Sequence, residues 1–415
     1  MNVKKLAGSP FLQNVVKLVG ATGLAQVIQL IATPVLTRIY SPDEFATYQY
    51  FYSIASVIAV IATFRYELAV VIPKEPSDAR SIATAGIFIS FLLSLLTLTT
   101  LLVLQLTGTL GVPPLFYLLP VYVLAAGIFQ TFNYWSIRNG TFNLNFAGRV
   151  GSSFMQSILG ILIGFSGFTS VGLIIAVVSG QITSALILAK NYLLKPTSFI
   201  TGISKEKIKR QLQEQNKFPK FNAPHALLDT LQDHGIIFVL SIYFENSLIA
   251  FYGQAFRLLK APVGFIGAAL HQVFYPNFTR RYQEGENLQP LVISFYKRLT
   301  LLGGPFFLIL AFIAIPLFKW YLGTEWEQVG FIVQLLLPWL FLNFIASPLS
   351  SLPLIASRQG TAMALTATEI IFRIGAIFIG GIMHSSTIAI GIISIFGSLF
   401  TIINLVWYYR LAKPE

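Results

Sequence analysis

Five basic residues lie inside long apolar stretches of this chain, where packing alone does not explain them. They are Lys17, Arg65, Arg257, Lys260 and Arg373. A charged side chain that faces lipid at the centre of a bilayer costs about 2.5 to 3.5 kcal/mol. Each of these residues is therefore expected to face protein, water or an anionic ligand, and the chemistry that they support is anion binding.

Two of these cations share one face of a predicted helix. At about 100° per residue, Gly253, Arg257, Lys260, Gly264 and His271 fall within about 60° of one another. Arg257 and Lys260 lie roughly ten residues from the outer end of their span, too deep for easy snorkelling. We predict a cavity-lining anion site here. Pairing with a carboxylate elsewhere in the bundle is the alternative.

The preceding apolar span carries a polar stripe that includes His225, Asp229 and Asp233. Two carboxylates four residues apart repel each other when both are charged, which favours protonation of one of them. These residues are therefore candidates for coupling to H⁺ or Na⁺. In the alternative interpretation, the two acids neutralise Arg257 and Lys260 on the next helix.

Two further pairs of opposite charge differ in their spacing. Glu369 and Arg373 stand at i and i+4, which predicts an intrahelical ion pair, and Glu369 is also a candidate for ion coupling. Arg65 and Glu67 are two residues apart and point to different faces of a helix, so we expect their partners to come from other helices. Lys17 lies off the polar stripe of its helix and is expected either to snorkel or to line a cavity.

The elements that hold these residues are membrane helices. The chain is 55% hydrophobic and only 11% charged, with a mean hydropathy of +0.72, whereas soluble domains are about 25% charged. A core of ordinary size cannot hide so much apolar surface, so lipid must be the solvent.

Twelve apolar stretches reach the roughly 20 residues that a crossing needs. The predicted spans are 11–37, 46–72, 80–106, 113–136, 147–168, 170–193, 221–243, 248–275, 293–318, 328–350, 361–383 and 386–410. The predicted fold class is an all-α integral membrane protein.

Loop charges predict the orientation. With the N-terminus inside, 21 basic residues fall on the cytoplasmic side and only Arg38 and Lys319 on the opposite side. This bias predicts that both termini are cytoplasmic.

The longest polar segment divides the chain almost at its middle. It predicts an N-terminal six-helix bundle at 1–194, a basic cytoplasmic linker at 195–220 and a C-terminal six-helix bundle at 221–415. Two such bundles related by a pseudo-twofold axis along the membrane normal would place a pathway at their interface. The run KEKIKR in the linker is expected to be a solvated loop that attracts lipid headgroups and does not bind nucleic acid.

The sequence also lacks the motifs of several enzyme classes. It has no cysteine, no G-x-x-x-x-G-K-[ST] loop and no H-E-x-x-H motif. These absences argue against a thiolate metal site, nucleotide hydrolysis by this chain and zinc proteolysis. Every outer loop is short, so we expect no enzyme activity and no cofactor beyond a coupling ion.

Four segments resemble one known family. They are LTRIYSPDEFATYQYFYSI after the first span, FRYELAVVIP at the end of the second, FPKFNAPHALLD at the start of the seventh, and AFYGQAFRLLKAPVGFIGAALHQVFYP in the eighth. They are similar to the Wzx-type O-antigen and capsule-repeat flippases, the polysaccharide transporter branch of the MATE-like MOP superfamily. The resemblance covers nearly the whole chain.

The resemblance implies alternating access in the bacterial inner membrane and a substrate of undecaprenyl pyrophosphate bearing a short oligosaccharide. Membrane lipids, the polysaccharide polymerase and the chain-length machinery are the implied partners of a monomeric protein. The implied pyrophosphate-binding residues are Arg257 and Lys260, followed by Arg65, Arg373 and Lys17.

Four polar residues could hydrogen-bond to sugar or stack on it: Gln26, Gln29, Asn133 and Tyr134. A helix interface accounts for them equally well.

The leading hypothesis is therefore a lipid-linked oligosaccharide flippase. The alternatives are an ion-coupled small-molecule exporter of the same superfamily, a membrane-embedded polymerase or glycosyltransferase, and a scaffold without transport activity.

Overall fold

The computed structural model describes residues 10–108, 111–167, 169–193, 203–356 and 358–413. Within residues 10–19, most of 265–277 and a few other helical positions, the description covers the backbone only. All regular elements in the described ranges are helical.

The α-helices are numbered here in chain order. They are α1 (Pro10–Ile39), α2 (Pro42–Ala59), α3 (Pro76–Leu106), α4 (Leu119–Arg138), α5 (Phe142–Phe165), α6 (Thr169–Leu193), α7 (Lys205–Glu214), α8 (Ala223–Thr230), α9 (Ile236–Tyr243), α10 (Asn246–Gln283), α11 (Gln289–Leu322), α12 (Glu327–Ala346), α13 (Leu352–Ile355), α14 (Gln359–Ile382) and α15 (Ser386–Leu411).

Nine helices in the described ranges are long and apolar enough to cross a membrane. The other three predicted spans correspond to residues 42–71, residues 218–243 and α10. These segments carry more polar residues than the nine helices, or the helix is interrupted within them. The prediction of an all-helical membrane protein is confirmed, and twelve helical segments match the twelve predicted spans.

The second span differs from its prediction as one continuous helix over 46–72. Helix α2 ends at Ala59, and Phe64 and Arg65 take left-handed backbone angles, with φ of 48° and 64°. A 3-10 segment, Tyr66–Val71, follows. The second span is therefore unwound between Ala59 and Tyr66, near the end that the loop charges predict to be cytoplasmic.

Neighbouring helices supply hydrogen bonds to the backbone of this unwound region. The Gln130 amide of α4 donates to the carbonyl oxygen of Ala59 at 2.9 Å, and the Ser90 hydroxyl of α3 donates to that of Ala62 at 3.0 Å. A break within a bilayer is tolerated only where protein groups satisfy the freed carbonyls in this way.

The chain separates into two compact units. The N-terminal unit comprises Met1–Ala32 and Thr47–Gly235, and the C-terminal unit comprises Thr33–Ala46 and Ile236–Glu415. The last part of α1 thus packs with the C-terminal unit, and the chain leaves the N-terminal unit in the π-helical segment Leu231–Gly235.

In the N-terminal unit, α5 packs along α6, and α4 packs on both α3 and α6. A buried cluster joins the 3-10 segment to the first turns of α3 and the end of α4, and it includes Tyr66, Val70, Ile82 and Trp135. The cluster holds the unwound part of the second span against the rest of the unit.

The basic run KEKIKR is a helix, which corrects the expectation of a solvated loop. Ser204 accepts a hydrogen bond from the backbone N–H of Lys207 at the start of α7. Arg210 pairs with Asp78 at 3.1 Å, and the side chain of Gln211 is buried. Capping, one ion pair and one buried face together dock this helix on the N-terminal unit.

In the C-terminal unit, α12 packs against α10, α11 and α15, and α14 packs along α15.

A glycine allows α11 and α12 to approach each other closely. A Cβ atom at Gly330 of α12 would lie 2.5 Å from the Cα of Ile315 in α11. Small residues commonly permit such contacts between membrane helices.

We expect Gly330→Ala to lower the free energy of unfolding by about 1 to 3 kcal/mol, because the methyl group would overlap the backbone of α11. Thermal unfolding of the purified protein in detergent measures this effect. The matched control is Gly304→Ala, where a Cβ atom would meet nothing within 4 Å. Equal melting temperatures for the two variants would contradict the close contact.

Candidate functional site

One candidate cation of the C-terminal unit is Arg257 on α10. It lies 11 residues after Asn246, which is about 17 Å along a helix that rises 1.5 Å per residue, near the middle of a 30 Å hydrocarbon layer. Its side chain is half-buried, and Nη2 lies 3.4 Å from the Thr33 hydroxyl of α1. Among the described residues, no carboxylate lies within ion-pair distance of Arg257; the Thr33 hydroxyl contacts it, and Tyr321 interacts with it electrostatically.

A group that we call the clamp, formed by Thr37, Arg38 and Trp326, holds this part of α1. Arg38 donates to the carbonyl oxygens of Trp320 and Tyr321 at 2.9 and 3.0 Å, at the C-terminal end of α11. The indole N–H of Trp326 donates to the Thr37 carbonyl at 2.9 Å. A cation at a helix C-terminus satisfies carbonyls that the helix itself leaves free. The clamp therefore fixes the end of α1 one turn beyond Thr33.

Lys260 and Arg373 are joined through two aromatic rings. The Lys260 ammonium lies 4.9 Å from the ring centre of Phe256, and the Arg373 guanidinium lies 4.3 Å from that of Trp339. The two rings stack on each other with centres 5.8 Å apart. The faces of aromatic rings attract cations, so the stack stabilises positive charge at both of its ends.

The predicted ion pair between Glu369 and Arg373 is confirmed. Arg373 Nη1 lies 3.7 Å from Glu369 Oε1, and both side chains are buried. No hydrogen-bond partner of the guanidinium nitrogens is found in the described part of the chain. Arg373 is thus a buried cation that is neutralised by an acid on its own helix. It is less accessible to a ligand than Arg257.

Arg65 and Glu67 pair with each other at 3.3 Å, and the prediction that they could not do so was wrong. The prediction assumed an α-helix, in which residues two apart diverge. The left-handed turn and the 3-10 segment bring the two side chains to one side. The carboxylate is buried and also accepts a hydrogen bond from Thr63, whereas a quarter of the Arg65 side chain is exposed.

Several other polar residues of the N-terminal unit surround Arg65. Tyr134 interacts electrostatically with Arg65, Glu67 and Arg149, and His225 interacts with Arg65. This group forms a second candidate site, in the N-terminal unit.

Arg149 is one of the 21 basic residues that the loop charges place on the cytoplasmic side, at the start of the fifth predicted span. Helix α5 begins at Phe142, and the Arg149 guanidinium lies 5.9 Å from the ring centre of Phe129. Thr141 at the N-cap was the sequence signal for the earlier start, since threonine is a preferred N-cap residue.

The ion-coupling candidates lie in different surroundings. His225 Nδ1 lies 3.2 Å from Asp229 Oδ2, and both side chains are about half exposed. Asp233 lies half-buried in the π-helical segment that follows α8. Among the described residues, no group of three or more acids and histidines could hold a metal ion.

The predicted sugar-contacting residues take part in helix contacts. Gln29 donates to the Ser153 carbonyl of α5 at 3.2 Å, and Asn133 accepts a hydrogen bond from the Asn145 amide at 2.7 Å. Gln26 and Tyr134 are half-buried. A role in sugar binding remains a prediction for all four residues.

The side chain of the fifth predicted cation, Lys17, lies outside the described residues.

Comparison with solved structures identifies the fold. A multidrug resistance MATE family transporter of the MOP superfamily, in its inward-facing conformation, superposes with a TM-score of 0.72 at 16% identity, over 94% of each chain. A MATE structure in a bent conformation gives 0.62 at 18% identity, over 99% of this chain and 97% of the other. A MATE transporter of Vibrio cholerae gives 0.60 at 15% identity, over 97% and 95%.

No curated protein sequence matches this chain. A family model does: the model described as "Polysaccharide biosynthesis protein" matches residues 35–330, which include Arg65, Arg257 and Lys260 but not Arg373. The chain is therefore a multi-pass membrane protein with the fold of MOP-superfamily transporters, and it belongs to this polysaccharide biosynthesis family.

Proposed function

We propose that this protein is a flippase that moves an undecaprenyl-pyrophosphate-linked oligosaccharide from the cytoplasmic to the outer leaflet of the bacterial inner membrane. The glycan would be the repeat unit of an O-antigen, capsule or exopolysaccharide. In this proposal both termini are cytoplasmic and transport proceeds by alternating access. The glycan polymerase and the chain-length machinery would receive the product.

The single observation that carries this proposal is the environment of Arg257. Its positive charge lies within the long helix α10, where Nη2 contacts the neutral hydroxyl of Thr33 and the guanidinium interacts with Tyr321. A cation in a membrane helix that has no carboxylate beside it among the described residues is costly unless an anion joins it during the working cycle. A pyrophosphate provides such an anion, and arginine binds phosphate oxygens with two parallel hydrogen bonds.

Lys260 and Arg65 would assist Arg257 in different ways. Lys260 lies over the ring face of Phe256 and would add a second positive charge near the phosphate oxygens. Arg65 is partly exposed and pairs with the buried Glu67. A ligand that binds Arg65 would therefore replace part of its interaction with Glu67. Arg373 would act through Trp339 and Phe256 to hold the ring that faces Lys260.

The proposed transport makes and breaks no covalent bond. The protein would move its substrate across the membrane and would not act as an enzyme. Proton coupling would use the His225 and Asp229 pair, because it is the coupling candidate that is open to solvent. Histidine changes its charge near neutral pH, which suits this role.

We expect Arg257→Ala to lower the rate of lipid-linked oligosaccharide transport in proteoliposomes by about 10- to 100-fold, the worth of a hydrogen bond to a charged group. Arg257→Lys should retain an intermediate rate, because the charge remains but the two-point contact is lost. The matched control is Arg280→Ala on the same helix, an exposed residue near Glu284. Unchanged transport by Arg257→Ala in folded protein would end the proposal.

We expect Asp229→Asn to abolish the stimulation of transport by an imposed pH gradient while downhill transport continues. The carboxamide cannot stabilise a protonated His225. The assay compares pH and sodium gradients in the same vesicles. Full pH stimulation of this variant, or stimulation by sodium alone, would contradict proton coupling through this pair.

Glu369→Gln should behave differently, because the change leaves Arg373 as an uncompensated buried charge. We expect a loss of about 3 to 5 kcal/mol in the free energy of unfolding, measured by thermal unfolding in detergent. The double variant Glu369→Gln with Arg373→Met should recover most of this loss. A stable single variant that lacks only gradient stimulation would instead assign ion coupling to Glu369.

A second candidate function follows from the fold. The MATE structure that superposes with a TM-score of 0.72 is a multidrug resistance transporter, so an ion-coupled exporter of small molecules is the alternative. Export of cationic drugs by cells that express this protein but lack any polysaccharide cluster would favour it. The polymerase alternative would require glycan chains to lengthen in the presence of the purified protein.

A further inference from the structure

A cavity of about 480 Å³ opens in the C-terminal unit at the end where α12 and α15 begin. Its volume lies in the range of about 300 to 1,000 Å³ that is usual for small-molecule sites. The walls come from α10, α11, α12 and α15, four helices of one unit. The cavity is separate from Arg257, Lys260 and Arg373, none of which lines it.

The cavity lining changes from polar to apolar along the axes of α12 and α15. Glu327, Gln328, Ser386 and Thr387 lie in the first turns of α12 and α15 and form a polar rim. One to two turns further along the same helices, the wall is made by apolar residues, namely Phe331, Ile332, Leu335 and Ile390. A ligand that fits this gradient has a polar head at the membrane surface and an apolar chain that points toward the bilayer centre.

The rim residue Glu327 pairs with Lys319, a neighbour that does not itself line the cavity. The Lys319 ammonium lies 2.7 Å from the Glu327 carboxylate, and each side chain is almost half exposed. The adjacent Trp320 is 74% exposed, as expected for an aromatic residue at a membrane interface. A lysine and a glutamate side by side complement a headgroup that contains a phosphate and an ammonium. The N–H groups in the first turns of α12 and α15 also favour phosphate.

We propose that this cavity binds one zwitterionic phospholipid whose headgroup carries a primary ammonium. The ammonium donates hydrogen bonds to the Glu327 carboxylate and to the rim hydroxyls. The phosphate lies against Lys319, and one acyl chain follows the apolar wall. A quaternary ammonium headgroup has no N–H to donate, and a purely anionic headgroup is repelled by Glu327. The site thus distinguishes lipids by the headgroup at equal chain length.

The test uses the full-length purified protein and native mass spectrometry. Phosphatidylethanolamine, phosphatidylcholine and phosphatidylglycerol with identical acyl chains are added separately. We expect phosphatidylethanolamine to bind about fivefold more tightly than the other two, the most that one exposed ionic contact contributes. Glu327→Gln should remove this preference, whereas the control Glu325→Gln, an exposed acid nearby that does not line the cavity, should retain it.

A second pair of variants tests the apolar wall. Leu335→Trp fills the cavity and should reduce retention of all three lipids, whereas Leu308→Trp, at a lipid-facing position that is 62% exposed, should not. Equal affinity for the three lipids, a preference that survives Glu327→Gln, or full retention by Leu335→Trp would each overturn the proposal. Tighter binding of undecaprenyl phosphate than of phosphatidylethanolamine would also overturn it and would assign the cavity to the lipid carrier.

Discussion

The absence of water inside the bilayer constrains the polar groups of the membrane segments. A carbonyl released from a helix, or a charge placed in an apolar span, must find its partner in the protein. Gln130 and Ser90 supply such partners to the unwound end of the second span. Arg38 supplies them to the last carbonyls of α11. Breaks and helix ends therefore occur where a neighbouring helix brings a donor.

The same constraint sorts the buried cations into two kinds. Arg65 and Arg373 each have an acid of their own segment within ion-pair distance, and both acids are buried. Arg257 has a hydroxyl. Arg373 is both neutralised and fully buried, which suits a structural role, whereas Arg257 is held by a neutral dipole and retains its attraction for an anion. This difference in partners, more than the difference in depth, separates Arg257 from the other candidates.

Each unit positions its candidate site from a segment that packing has fixed. In the N-terminal unit, the buried cluster around Tyr66 and Val70 holds the 3-10 segment that carries Glu67, and Arg65 is the residue just before that segment. In the C-terminal unit, the clamp holds Thr33 beside Arg257. Local backbone irregularity places the charged side chain itself in the first case. In the second case, helix capping places a neutral hydroxyl beside a charge that a regular helix carries.

The sequence by itself determined the class of the protein, its membrane segments and the positions of its intramembrane cations, because hydropathy and charge depend only on residue type and spacing. It also predicted the pair between Glu369 and Arg373, which a regular helix brings together. It missed the pair between Arg65 and Glu67, the inward position of Arg149 and the capping role of Arg38. Those three depend on where a helix unwinds, begins or ends against its neighbours. Only the tertiary structure decided them, since the partners that satisfy a broken helix in a bilayer come from segments distant in the chain.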